Sequence, residues 1–188
     1  AQNIAASRRI SQESVLAQLE AFVQDVAMCS LQMDGVQNQT LARLYANHQR
    51  YMEGLFNSLL VSGQWTEETA GSYRSLLLSP IVDHTDAQLI VSALTMALLV
   101  VFDVEKWLTL VAVYEQSDDV ALRQRAIVGL ALTMPDEGVV SLFPNVGEAL
   151  HRLSSTEQVR RELMEVQVQL LYCERTETDS REIQTNII

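Results

Sequence analysis

Apolar residues recur at every third or fourth position along almost the whole chain, and no segment alternates apolar and polar residues as a half-buried strand would. This pattern confines the chain to helices. The scarcity of turn formers agrees with it. The 188 residues include only 3 Pro and 7 Gly, too few for the many tight turns of an all-β protein. A chain of this length buries a substantial core, either as one large domain or as a short repeat array.

The periodicity divides the chain into successive helices. Val15, Leu19, Phe22, Val23 and Val26 mark the first, which Asp34-Gly35 ends. Leu41, Leu44, His48, Met52, Leu55 and Leu59 mark a long second helix that stops near Ser62-Gly63. Thr66 is predicted to cap the third, with Glu67 and Glu68 favourably placed against the helix dipole, and Pro80 follows its end near Leu78. Thr85 and Gln88 have capping-box spacing ahead of a fourth helix that is apolar on nearly all sides, and so is expected to have neighbours on both. Asp103 is predicted to cap the fifth helix, with Val104, Trp107, Leu108 and Val111 facing inward. Asp118-Asp119 open the sixth and Met134-Pro135 close it. Pro144 splits residues 136–153 into a short turn and a helix. Ser155 and Gln158 form a second capping box, opening a helix to about Tyr172. The stretch from Glu174 to Arg181 reads as a polar linker, with Asp179 and Glu182 spaced to begin a further helix.

Three of these helices share a pattern. The sixth reads Asp119, Leu122-Arg123, Ala126 and Gly129-Leu130. The fourth repeats it at Asp86, Leu89, Ala93 and Met96-Ala97, offset by 33 residues; the last repeats it at Thr156, Val159-Arg160, Leu163 and Val166, offset by 37. The physical sense is a capping residue, then an apolar seam, with a small residue that lets a neighbouring helix approach. Such units cannot bury their faces alone and must stack. The sixth helix resembles the second helix of a HEAT repeat, where an Asp, an aliphatic-Arg pair and a small residue recur at this spacing. The match is partial at Asp86, where Ile90 replaces the Arg, and weaker at Thr156, where Leu163 replaces the small residue.

The resemblance covers roughly residues 81–173 and implies an all-α fold, a right-handed α-α superhelix of stacked helical hairpins. An irregular multi-helix bundle is the alternative. The expected organisation is one structural domain: N-terminal helices over residues 1–80, repeats over 81–175, and a polar linker with the start of a further helix over 176–188. The absence of an initiating Met and the end at Ile187-Ile188 predict a segment of a longer protein. Ile183, Ile187 and Ile188 predict a tail that docks on its own domain or pairs with a second copy as a homodimer.

Charge narrows the partners. The net charge is −11, and the 13 basic residues include one lysine, Lys106, with Arg8-Arg9 and Arg160-Arg161 as the only adjacent pairs. Nucleic acid and anionic membrane surfaces both call for clustered Lys and Arg, so neither is an expected partner. A charged partner is expected to be basic. Acidic residues recur at the inter-helix loops, and Asp83, Asp86, Asp103, Asp118, Asp119 and Asp136 are candidates for an acidic rim that meets such a partner. The ordinary reading of the same residues is helix capping.

The longest apolar stretch, Leu89 to Phe102, falls short of the roughly 20 residues a bilayer span needs. No secretory signal peptide is visible. Cys29 and Cys173 belong to no CxxC pair and read as reduced, buried thiols of a cytoplasmic protein. Glu148 and His151 have the spacing of one half of a carboxylate-bridged di-iron pair, but there is no second Glu-x-x-His. His48 on an apolar stripe reads as a core residue with one satisfied ring nitrogen, and His84 as part of an acidic capping loop. No Gly-rich loop precedes Lys106, and no G-x-S-x-G, S-x-x-K or H-E-x-x-H occurs. No catalytic, cofactor-binding or metal residues are assigned and no cofactor is expected. The expected function is a non-enzymatic protein-protein interaction or scaffold module. Its rival is a helical enzyme or ligand-sensing domain with a polar site built from distant residues, around His48 or His84.

Overall fold

The computed structural model describes residues 12–31 and 37–186. Among them lie nine helices and no strand: α1 (Gln12–Ser30), α2 (Gln37–Leu60), α3 (Glu67–Leu77), α4 (His84–Val100), α5 (Val104–Gln116), α6 (Val120–Leu132), α7 (Glu137–Leu142), α8 (Pro144–Ser155) and α9 (Glu157–Asn186). The all-α expectation is met.

Capping residues set most of the starts. Thr66 accepts from the amide of Thr69, Asp103 from those of Glu105 and Lys106, Asp119 from those of Ala121 and Leu122, and Asp136 from that of Val139. Each satisfies amides that the first helical turn leaves orphaned. Pro144 opens α8, where its missing N–H costs nothing.

Three expectations need correction. Thr85 is not a cap: α4 begins one residue earlier, and Asp83 takes the capping role by accepting from the Thr85 amide. Nor is Ser155 a cap, because it ends α8, its hydroxyl donating to the carbonyl of Arg152. The polar linker over 174–181 does not exist. The backbone runs on as helix from Glu157 to Asn186, so Asp179 starts nothing. Ile187 and Ile188 lie outside the described residues, as does the side chain of Ile183.

The helices pack in two rows. In one, α4 lies between α2 and α6, and α6 also meets α9. In the other, α5 lies between α3 and α8. The rows join where α5 packs on α4 and α6 and where α8 packs on α9, while α1 rests on α2 and α3. The fourth helix is therefore flanked on both sides, as its apolar circumference predicts; Ile90, Val91, Ala93, Leu94, Ala97 and Leu98 are all buried. Trp107, Leu110 and Val113 of α5 are fully buried at the centre. Burying a side chain of this kind stabilises by about 1.5–3 kcal/mol.

The small residues of the repeated pattern lie where the rows close up. Ala93 and Ala126 have no exposed surface. Gly129 lies against α4 and α5, and a β-carbon there would press on the Thr95 hydroxyl and the Leu110 side chain. No helix among the described residues is long and apolar enough to cross a membrane.

Candidate functional site

The six aspartates of the proposed rim do not form one surface. Asp118 is exposed, and Asp83, Asp119 and Asp136 sit at helix starts, the latter three as caps. Asp86 and Asp103 are buried and paired, which removes both from any rim.

Asp86 lies on α4 within 2.9 Å of Nε2 of His48 on α2. The His48 ring stacks on Phe22 of α1, with centroids 3.6 Å apart and planes 8° from parallel. Burial pushes the Asp86 carboxyl above the usual range. The bond and charge of His48 oppose this, and the charge of Asp83 adds to it. His48 thus joins α1, α2 and α4, with one ring nitrogen satisfied.

His84 belongs to a second such pair. Its Nδ1 lies 2.8 Å from Oδ2 of Asp119, linking the start of α4 to the start of α6. Burial raises the Asp119 carboxyl, but the amides of Ala121 and Leu122 and the His84 contact outweigh it and hold the group below its ordinary value.

Lys106 has a role that motif reading missed. It is 3% exposed, with Nζ 3.4 Å from Oδ2 of Asp103 and donating to the carbonyls of Ser62 and Gly63. Asp103 also accepts from the amide of Trp65, and the ammonium lies 5.7 Å from the Trp65 ring centroid. This knot ties the α2–α3 connection to the start of α5. The available signal was the spacing of an Asp cap and a Lys one turn later, which puts both charges on one side of the helix.

Glu148 and His151 lie exposed on α8, and no group of three or more metal-ligating side chains is assembled among the described residues. Of the cysteines, Cys29 is buried as expected and Cys173 is exposed, which it was not expected to be.

The concave features gather around α6. Between α6 and α4 runs a groove of about 500 Å³, lined by Gln88, Met96, Leu99, Val128 and Leu132 among others. Between α6 and α9 runs one of about 700 Å³, lined by Val120, Gln124, Val128, Gln158, Glu165 and Gln169 among others. Val128 and Gln124 border both, so the grooves flank a single ridge. Met96, Leu99, Val120, Val128 and Leu132 are all exposed on this face. Its arginines are engaged within the fold. Arg125 donates to Ser92 and Gln88, and Arg123 lies over the Tyr114 ring. Tyr114 donates to Glu162 at 2.7 Å, and burial, followed by the Glu162 carboxylate, pushes its hydroxyl up to about 12.

A smaller cavity of about 290 Å³ lies on the other side of Ile127, where α5, α6, α8 and α9 meet. Trp107 forms part of its wall, and the buried indole N–H of Trp107 has no acceptor among the described residues. An unsatisfied buried donor costs about 1–3 kcal/mol. No protein-family model, no curated protein and no solved structure matches this chain.

Proposed function

We propose that the chain is a non-enzymatic interaction module, built as a HEAT-like superhelix, that receives a basic, partly apolar segment of a protein partner on the α4–α6–α9 face. The observation that carries this reading is the ridge of α6 with a groove on each side. Exposed apolar side chains from Met96 to Leu132 line that face in a contiguous patch, and patches of this kind mark interaction sites. Charge supports a basic partner. The chain carries −11, Glu165 lines the wider groove, and the nearby arginines are taken up internally. Among the groove amides, Gln124 and Gln169 each offer a donor and an acceptor to a peptide, while Gln88 and Gln158 are bonded to Arg125 and Glu162.

Selection from a random peptide display library tests the reading. The expected binders combine apolar residues with Lys or Arg, protect α4, α6 and α9 from hydrogen exchange, and lose affinity on Val128→Glu. Enriched peptides that are acidic, or that protect a different face, overturn it.

A further inference from the structure

Helix α9 carries two apolar stripes on opposite sides. Val159, Leu163 and Val166 belong to the core, where α9 packs on α6 and α8. Met164, Val168 and Leu171 follow one another at steps of four and three residues, which in an α-helix sets them in a line on the other side. All three are exposed, and none borders the grooves beside α6. The same steps reach Arg161 and Glu157 in one direction and Arg175 in the other, so the stripe is a heptad seam with charges at both ends. Glu157 and Arg161 bond each other at 3.1 Å, but both are exposed, and an exposed pair of this kind holds its members weakly.

The charges select what meets the seam. A second copy laid parallel would set Arg161 on Arg161 and Arg175 on Arg175. Laid antiparallel, with Val168 opposite the partner's Met164, it sets Arg175 opposite the partner's Glu157 and lays the Arg161 stem along the partner's Leu171. At the flank, Arg160 then faces the partner's Glu174. The arrangement is two-fold, so every contact occurs twice. Its one like-charge approach, Glu165 to its own counterpart, falls at the exposed rim, where water screens it. We propose that α9 docks a second copy of this chain, as an antiparallel two-fold pair along the Met164–Val168–Leu171 seam. The proposal is independent of the partner site on the α6 ridge, because Val128 takes no part in the pairing.

Sedimentation equilibrium of the full chain over a wide concentration range tests this. Reducing conditions keep the exposed Cys173 from joining copies by a disulfide. Physiological salt limits the repulsion between two chains of charge −11 to a Debye length of about 8 Å. The expected result is a monomer-dimer equilibrium. Val168→Glu should weaken it roughly tenfold or more, since a charge enters the seam twice, while Val128→Glu leaves it unchanged. Arg175→Glu alone and Glu157→Arg alone each oppose like charges at both ends and should weaken pairing several-fold. An equimolar mixture of those two variants should pair as the wild type does, because the mixed dimer has opposite charges at both ends. All these positions are exposed, and circular dichroism checks that each variant folds. A monomer at every concentration up to about 1 mM, a dimer that survives Val168→Glu or is lost with Val128→Glu, or a mixture that pairs no better than its separate components each overturn the proposal.

Discussion

Gly129 on α6 stands so close to Thr95 on α4 that a β-carbon at position 129 would press into the threonine hydroxyl. That hydroxyl donates to the carbonyl of Val91 at 3.0 Å, so it does not swing aside freely, and Leu110 closes the other flank at 3.1 Å. Alanine is better than glycine by about 1 kcal/mol in a helix, while overpacking costs about 1–3 kcal/mol. Gly129→Ala should therefore destabilise by about 1 kcal/mol net. In a Thr95→Ala background the hydroxyl is gone and only the tip of the Leu110 side chain must give, so the same change should cost clearly less or stabilise. Urea denaturation of the four variants checks this, and an equal effect in both backgrounds would refute the close approach.

The buried knot at Lys106 makes a second prediction. Lys106→Met leaves the Asp103 carboxylate buried without its cation, and breaking a buried pair typically costs about 3–5 kcal/mol. Asp103→Asn retains a capping side chain without the charge. The double variant Asp103→Asn, Lys106→Met should recover a large part of the loss. If the losses simply add, the two side chains are not coupled as their 3.4 Å separation implies.

Two carboxylates should shape the acid limb of stability in opposite senses. Asp119 is held below its ordinary value in the fold. Its contribution is fully present above the unfolded value near 4 and is lost as pH falls through the lowered folded value. Asp86 is raised. The fold favours its protonated form, so stability declines as pH rises from the unfolded value through the folded one. Asp119→Asn keeps a cap and should flatten the loss on acidification. Asp86→Asn should gain on wild type as pH rises from about 3 to 6, the range that spans an ordinary carboxylate. Denaturation midpoints across that range give both slopes, and parallel curves for all three chains count against the assignments.

Helix α9 should be unevenly stable. Val159 is buried and Leu163 and Val166 pack on the core, whereas Leu171 and Tyr172 are more than half exposed. In the dilute, unpaired chain, amides from Cys173 to Thr176 should exchange with solvent faster than those from Leu163 to Val166, because these residues are exposed and local opening there breaks few tertiary contacts. Equal protection of the two stretches would show that α9 opens as one unit.

Much of this architecture was legible in the sequence, for identifiable reasons. Thr66, Asp103 and Asp119 could be read as caps because a short polar side chain before an apolar period satisfies amides locally, whatever else surrounds it. Thr85 misled because Asp83, two residues earlier, starts the helix first by accepting from the Thr85 amide, which leaves Thr85 inside the first turn. The continuity of α9 was hidden because its polar C-terminal stretch has no apolar period to mark a helix. Asp86 looked like rim because nothing local announces a histidine 38 positions earlier. The grooves beside α6 and the cavity at Trp107 are spaces between helices distant in the chain. No local pattern encodes how well such surfaces meet.

Lys106 also sets the chemistry of the folded surface. It supplies the only side-chain primary amine of the chain, and 97% of its surface is removed from solvent. An electrophile that acylates amines therefore meets no accessible lysine while the start of α5 stays in place. Any modification that needs lysine must wait for that region to open. The rate at which position 106 acquires an acyl group becomes a clock for the opening, read at a single site by mass spectrometry.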